Sequence, residues 1–389
     1  MYPSPFGELS VTAFLRDYWQ QQPLLVRQAF PGFQTPVSPE ELAGLACEEE
    51  VESRLVLETG GLAPWELRHG PFVEEDFTTL PDSHWTLLVQ DMEKHLPQLR
   101  ELFQPFRFLP HWRVDDLMIS YAAPGGSVGP HTDQYDVFLI QGSGRRHWSI
   151  RVADEGDPRL IDGLDLRILA RFEPDRTWLL EPGDMLYLPP GVPHHGVADG
   201  PCMTFSVGFR APARRELLMA VLEEIAEHCN EKLRFTDPQR RPSEDPARID
   251  AEALQQARDL VRQALDDDTL IDRCFARLLT EPKPHCHPEV PAEPPTTASL
   301  ITAVQAGARL YTSPFSRFAW YRDGNDRAML AVDGEIYPLP AECETLASIL
   351  EADRALEPAR IKQLLESTAA TELLTELTDL GALIVEEPV

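Results

Sequence analysis

Apolar residues in the first stretch of the chain, up to about position 110, fall in short bursts of mixed period. Phe14, Tyr18 and Trp19 recur at helical spacing, and Pro23-Leu-Leu-Val-Arg27 reads as a strand. From 112 to 210 the pattern becomes strand-like. The runs 115–121, 136–140, 148–152, 185–188 and 203–209 are separated by Gly/Pro turns at short intervals, which predicts an antiparallel barrel or sandwich. Helical period takes over at 214–233, where Leu217, Leu218, Val221, Leu222, Ile225, Cys229 and Leu233 recur among Glu, Arg and Lys. Two more helices are predicted over 250–266 and 268–280. Strand patterns follow near 308–322 and 327–337, then helical patterns over 341–352, 358–366 and 370–381. That order describes a small α/β unit with the sequence of elements of a winged helix.

Proline marks the boundaries. The stretch Glu281-Pro-Lys-Pro-His-Cys-His-Pro-Glu-Val-Pro-Ala-Glu-Pro-Pro295 cannot continue a helix and reads as an extended linker. Asp237-Pro-Gln-Arg-Arg-Pro-Ser-Glu-Asp-Pro246 reads as a loop. With 389 residues the chain has length for two or three domains. Its 35 Lys and Arg against 64 Asp and Glu leave a formal charge of −29. Such a surface repels phosphate backbones and attracts basic partners, so no direct nucleic-acid binding is expected. The six cysteines include no CxxC pair, which excludes a zinc ribbon or disulfide scaffold. His285-Cys-His287 has no second cluster to complete a tetrahedral site. Without a basic, apolar leader or a long uncharged apolar run, the expected setting is cytoplasmic, with no membrane association.

The chemistry concentrates in His131-Thr-Asp133 and the later pair His194 and His195. On a strand, residues two apart point to the same side, so His131 and Asp133 can reach one point inside a barrel. A histidine from a neighbouring strand completes two imidazoles and a carboxylate, the facial triad of non-haem Fe(II) oxygenases. His194 and His195 compete for that third place, since adjacent strand residues face opposite ways. Arg145 and Arg146 pose the same choice for a buried cation.

The segments Ser120–Trp148, with its Pro-Gly-Gly-Ser-Val-Gly-Pro-His-Thr-Asp core, Leu188-Pro-Pro-Gly-Val-Pro-His-His-Gly196, Phe205–Pro212 and Asp17–Phe30 together resemble the bacterial ribosomal oxygenases. These are JmjC-type cupins that use iron and 2-oxoglutarate. The resemblance implies an α+β chain. A double-stranded β-helix (cupin/JmjC) catalytic domain would span 1–212, a helical dimerisation region 213–280, a Pro-rich linker 281–298 and a winged-helix-like domain 299–389. The implied metal ligands are His131, Asp133 and His194, the histidine directly after proline. The co-substrates would be 2-oxoglutarate and O₂. The basic residue fifteen positions after the first histidine, Arg146, would bind the distal carboxylate of 2-oxoglutarate, which suits the bidentate guanidinium. Ser120 and Thr204 would add hydroxyls, the latter where the family often has an amide.

Strand alternation carries the reading further. If Ser120 and Thr204 face the co-substrate, Asp116 and Ser206 face inward too, and Tyr135 should project beside Asp133. Asp116 would then meet a cationic substrate side chain. The resemblance implies β-carbon hydroxylation of an arginine in a basic large-subunit (50S) ribosomal protein, by an enzyme acting as a homodimer. Two alternatives stand beside it: the same chemistry on a histidine or a methylated lysine, and a non-enzymatic cupin joined to a winged-helix regulator.

Overall fold

The computed structural model describes the chain except residues 1–3, 61–64, 153–158, 230–231, 233, 243–244, 345, 347–355, 357 and 387–389. Two compact units result. One comprises 1–211 with 284–286, the other 212–283 with 287–389. The helices expected to form a separate region over 213–280 therefore share a unit with the C-terminal elements.

The first unit is built on eight strands in one sheet: β1 (Leu24–Val26), β2 (Ser53–Glu58), β3 (Trp65–His69), β4 (Trp85–Val89), β5 (Val114–Ala122), β6 (Asp136–Ser143), β9 (Met185–Leu188) and β11 (Cys202–Phe209), in the order β1-β9-β6-β11-β5-β4-β2-β3. Facing it is a three-stranded sheet, β10-β7-β8, from β7 (Arg146–Ile150), β8 (Arg176–Leu180) and β10 (His194–Ala198). Every pairing is antiparallel.

β6 shows why its apolar run is continuous. Phe138 and Ile140 join the core on one face of the sheet, while Val137 and Leu139 join the core between the two sheets. A strand covered on both faces has no polar side to alternate with. The outer face carries an aromatic cluster: Phe6, Phe14, Phe106, Tyr187 and Phe209 all lie within 6.2 Å of the Phe138 ring, centroid to centroid. Helix α1 (Val11–Asp17) delivers Phe14, with Ser10 accepting at its N-cap from Ala13 N–H. Helix α2 (Pro39–Leu45) is fixed by a capping box between Ser38 and Glu41. A short helix α3 (Glu74–Thr78) and a single helical turn, α4 (Met92–His95), complete this part of the chain. Asp136 is wholly buried beside the cluster, but Tyr187 Oη (2.6 Å), Gln20 Nε2 (2.9 Å) and Arg113 Nη2 (3.0 Å) satisfy it.

In the second unit, α5 (Arg214–His228), α6 (Ala251–Leu265) and α7 (Asp268–Thr280) lie close to the predicted helices. α8 (Thr297–Ala306), α9 (Pro358–Leu364) and α10 (Thr368–Asp379) are joined by two small sheets. One sheet pairs β12 (Arg309–Thr312) with β16 (Leu383–Glu386), and the other runs β13 (Phe318–Arg322), β14 (Ala328–Val332), β15 (Glu335–Pro338). α7 packs on α5 and against β13, β14 and β15. Arg277 Nε on α7 donates to Gly334 O, and Gly334 N–H donates to Thr280 Oγ1, at the β14–β15 turn. The helix expected over 341–352 begins instead as a 3-10 turn, Ala341–Cys343, and most of its remainder lies outside the described residues. Among the described residues no helix is long and apolar enough to cross a membrane.

Phe138→Ala should lower the unfolding free energy by about 3–5 kcal/mol, because it empties the centre of the aromatic cluster. Urea denaturation followed by fluorescence will show this as a lower midpoint at unchanged slope.

Candidate active site

His131 and His194 meet before their side chains do. Their main chains form an isolated antiparallel bridge, His131 N–H to His194 O at 3.0 Å and His194 N–H to His131 O at 2.9 Å. This bridge places the rings 4.2 Å apart, centroid to centroid. Each ring is then locked from behind. His131 Nδ1 lies 2.9 Å from Gly129 O, and His194 Nδ1 lies 2.9 Å from Val192 O. A carbonyl can only accept, so Nδ1 carries the proton and Nε2 presents its lone pair. Both Nε2 atoms converge on one oxygen, Asp133 Oδ2, at 3.8 Å from His131 and 3.6 Å from His194. All three donors lie within 4.8 Å of one another, so one small ion can touch them all. Burial, and then the neighbouring His131, push the His194 imidazolium down to about 4 against the pull of Asp133, so the ring is a neutral ligand at ordinary pH.

Asp133 reaches this point by a different route from the one the strand argument assumed. Only His131 is bridged; residues 132 and 133 belong to no strand. Tyr135 likewise does not project into a closed interior. It borders the cavity at the rim, 39% exposed. His195 points away from the triad and packs edge-on against Phe172, 6.0 Å between ring centroids.

The triad opens into a cavity of about 250 Å³ between the two sheets. Arg146 lies in its wall on β7 at 2% exposure. Its Nη2 donates to Gly196 O at 3.3 Å, its guanidinium stands 5.1 Å from the Trp148 ring centroid, and its buried Nε has no partner. Among the described residues no carboxylate pairs with it. Burial pulls its pKa below the ordinary arginine value, yet a guanidinium stays charged. Arg145 faces the other way, with Nη2 2.7 Å from Asp199 Oδ2. Gly196, opposite Trp148 on β10, makes room for this arrangement: a Cβ there would stand 2.6 Å from Arg146 Nε.

Across the cavity the register of the large sheet sets out rows of side chains. Thr204 is paired with Ser120, Ser120 with Leu88, and Leu88 with Arg54. Thr204 Oγ1 donates to Gln141 Oε1 at 3.4 Å. One row along, Ser206 is paired with Met118, and both line the cavity. Asp116 is buried just beyond these lining residues on the same strand face, with Oδ1 against the bare Gly208. Asp115 turns to the opposite side, 3.3 Å from Arg210 Nε.

Arg54 is a lining residue the sequence reading missed. Its Nε is buried without a partner, and it shares a strand face with the cavity-lining Val56. A lone arginine at even spacing in the apolar run Ser53–Leu57 is the signal that marked it. Gln90 joins the two ends of this wall. In the amide orientation its neighbours require, it donates to Asp116 Oδ2 at 3.2 Å and accepts from Arg54 Nη2 at 3.0 Å.

Residues 101–217 match the model of the JmjC domain, 263–384 that of the ROXA-like winged helix, and 174–281 that of the AraC-like ligand binding domain. The chain is 40% identical over 283 residues to the ribosomal protein uL16 3-hydroxylase of Escherichia coli, covering 72% of this chain and 74% of that protein. It is 40% identical over 206 residues to a probable ribosomal oxygenase of Haemophilus influenzae, 53% of this chain and 50% of the other. The structure of YcfD, a ribosomal oxygenase from Escherichia coli, in complex with cobalt and 2-oxoglutarate, superposes with a TM-score of 0.83 at 33% identity, covering 97% of this chain and 99% of that one.

Asp133→Ala removes the oxygen on which both imidazoles converge. Titration of the metal-free protein with Co(II), followed by its visible absorption, should show affinity reduced by more than about 100-fold, beyond the loss typical of a supporting residue.

Proposed function

The chain belongs to the ribosomal oxygenase family of JmjC-domain proteins, and from that membership we propose that it is an Fe(II)- and 2-oxoglutarate-dependent hydroxylase acting on the β-carbon of an arginine in large-subunit ribosomal protein uL16. The observation that carries the reading is Arg146. A buried guanidinium without a carboxylate partner among the described residues is costly, and it stands in the same cavity as two imidazoles and a carboxylate. A dicarboxylate that chelates an ion on the triad and reaches Arg146 with its far end removes that cost.

The residues fit both groups. His131, Asp133 and His194 supply the N₂O donor set that suits Fe(II), and Arg146, Ser120 and Thr204 supply donors for a carboxylate. When bound, iron and 2-oxoglutarate would let O₂ serve as the oxidant, one oxygen atom converting a C–H bond to C–OH and the other ending in succinate, with CO₂ released. The chain's own part is placement. All three triad residues line the cavity, so an ion held there faces the substrate. Val137, Leu139 and Trp148 keep that space apolar. Asp116 receives the substrate guanidinium, with Tyr135 against its alkyl stem at the rim and Ser206 beside it. Holding the arginine at two points fixes which carbon is presented.

The net charge of −29 supports a basic protein substrate and speeds its arrival, and we place the enzyme in the cytoplasm with the ribosome. Leu218, Met219 and Leu222 on α5 and Leu254, Leu260 and Val261 on α6 are large apolar side chains left exposed. We assign them to contact with a second copy of the chain. Leu222→Glu should convert the sedimentation profile from dimer to monomer.

The direct test is incubation of the protein with Fe(II), 2-oxoglutarate and purified uL16. Peptide mass spectrometry should show one added oxygen on an arginine, accompanied by succinate and absent with His131→Ala. An oxygen on histidine, or no succinate, would overturn the assignment. Gly196→Ala pushes on Arg146 without touching a metal ligand. It should raise KM for 2-oxoglutarate roughly 10- to 100-fold while Co(II) affinity stays unchanged.

A further inference from the structure

β4 ends at Val89, opposite Ile119. Beyond that point the β4-facing edge of β5 has no strand beside it among the described residues. This unguarded stretch carries Asp116 and Met118. The chain turns away at Asp91, whose φ is +51°, into the single turn of α4. Glu93 then reaches back to the edge. Its Oε2 accepts the Leu117 N–H at 2.9 Å, the bond that a continuing strand would have made. With Gln90 bridging Asp116 and Arg54, the segment 90–94 holds this end of β5 through both its backbone and its carboxylate.

The same segment is dense in buried charge. Asp91, Glu93, Lys94 and Asp116 are all less than 9% exposed. Lys94 Nζ lies 2.7 Å from Asp91 Oδ1. Arg100 Nε donates to the Glu93 main-chain oxygen at 3.3 Å, His95 closes the turn, and Asp115 on β5 is turned to Arg210. Burial, and after it the charges of Asp91 and Asp116, push the Glu93 carboxyl up to about 8, while Lys94 and the Leu117 bond act the other way. Glu93 thus changes charge near physiological pH in direct electrostatic contact with Asp116.

We propose that Glu93 is a positioning residue that sets how strongly the cavity takes a cationic side chain: protonated, it only holds the strand, and ionised, it adds a second negative charge behind Asp116. The inference rests on Asp116 being the group that meets the substrate arginine. Reciprocity gives the sign. A guanidinium at Asp116 favours ionised Glu93, so ionised Glu93 favours the guanidinium by the same factor. Below about pH 8 the incoming cation must expel the Glu93 proton, whereas above it the charge is already present. The arginine itself does not titrate in this range.

Steady-state kinetics of the full-length enzyme, loaded with Fe(II) and 2-oxoglutarate, on an arginine-bearing uL16 peptide test this. From about pH 6.5 to pH 9.5 KM for the peptide should fall by about five-fold or more, with kcat changing less. Glu93→Gln keeps an acceptor for the Leu117 N–H but has no proton to lose. Its KM should be high and independent of pH, and its thermal unfolding should match the parent. Lys94→Gln leaves Asp91 unneutralised and should move the midpoint of the KM profile to higher pH. A peptide with citrulline for arginine should show no slope. A slope retained in Glu93→Gln, an unmoved midpoint in Lys94→Gln, or a slope with citrulline overturns the proposal. Failure of the parent enzyme to hydroxylate the arginine peptide overturns the assignment of Asp116 and the inference with it, and it is seen before any Glu93 variant is made.

Discussion

A guanidinium sealed between two sheets, with no carboxylate among the described residues to pair it, is the constraint around which the catalytic unit is organised. Buried charge of this kind persists only where the surrounding fold over-determines it. Here the surroundings are Trp148 beneath the cation, Gly196 stripped of a side chain, and a β7–β10 pairing that fixes both in register. The stability forgone at Arg146 is recovered elsewhere in the unit, in the aromatic cluster around Phe138 and in the satisfied carboxylate of Asp136. One face of the large sheet is devoted to packing, and the other is kept partly hollow for chemistry.

The hollow face works because antiparallel register turns sequence positions into rows. Arg54, Leu88, Ser120 and Thr204 come from four different strands, yet they stand side by side. Chemistry changes from row to row, from the hydroxyls of Ser120 and Thr204 to Ser206 and Met118, and then to Asp116. On the function proposed above, the co-substrate would lie at one end of this gradient and the substrate side chain at the other. A one-residue slip in β5 would send Asp116 to the far face and bring Asp115 inward.

Much of this was legible in the chain. The five central strand runs, the helices over 250–280 and the His-x-Asp with a later histidine are local patterns, and periodicity finds local patterns well. The choice between Arg145 and Arg146, and between His194 and His195, needed the family resemblance, because alternation says only that neighbours face apart. What stayed hidden depends on register between distant segments. Arg54, Gln90 and Glu93 lie in the stretch where mixed period blurred the strands, and their roles exist only once β2 and β4 are laid beside β5. Tyr135 and Asp133 were placed by assuming a regular strand, but the strand there amounts to a single bridge. The expected helix over 341–352 opens with Pro340 and a 3-10 turn, a local departure that apolar spacing does not report.

The two carbonyls that hold the triad imidazoles have a consequence for metal identity. Gly129 O and Val192 O fix both rings through bonds internal to the chain, each from a residue two positions earlier than its histidine. The two nitrogen donors are therefore oriented by the chain itself. A set of two nitrogens and one oxygen does not by itself discriminate among first-row divalent ions, whose intrinsic affinities rise from manganese and iron toward copper. Which ion fills such a site then depends on the free concentrations of the competing ions as well as on the donors.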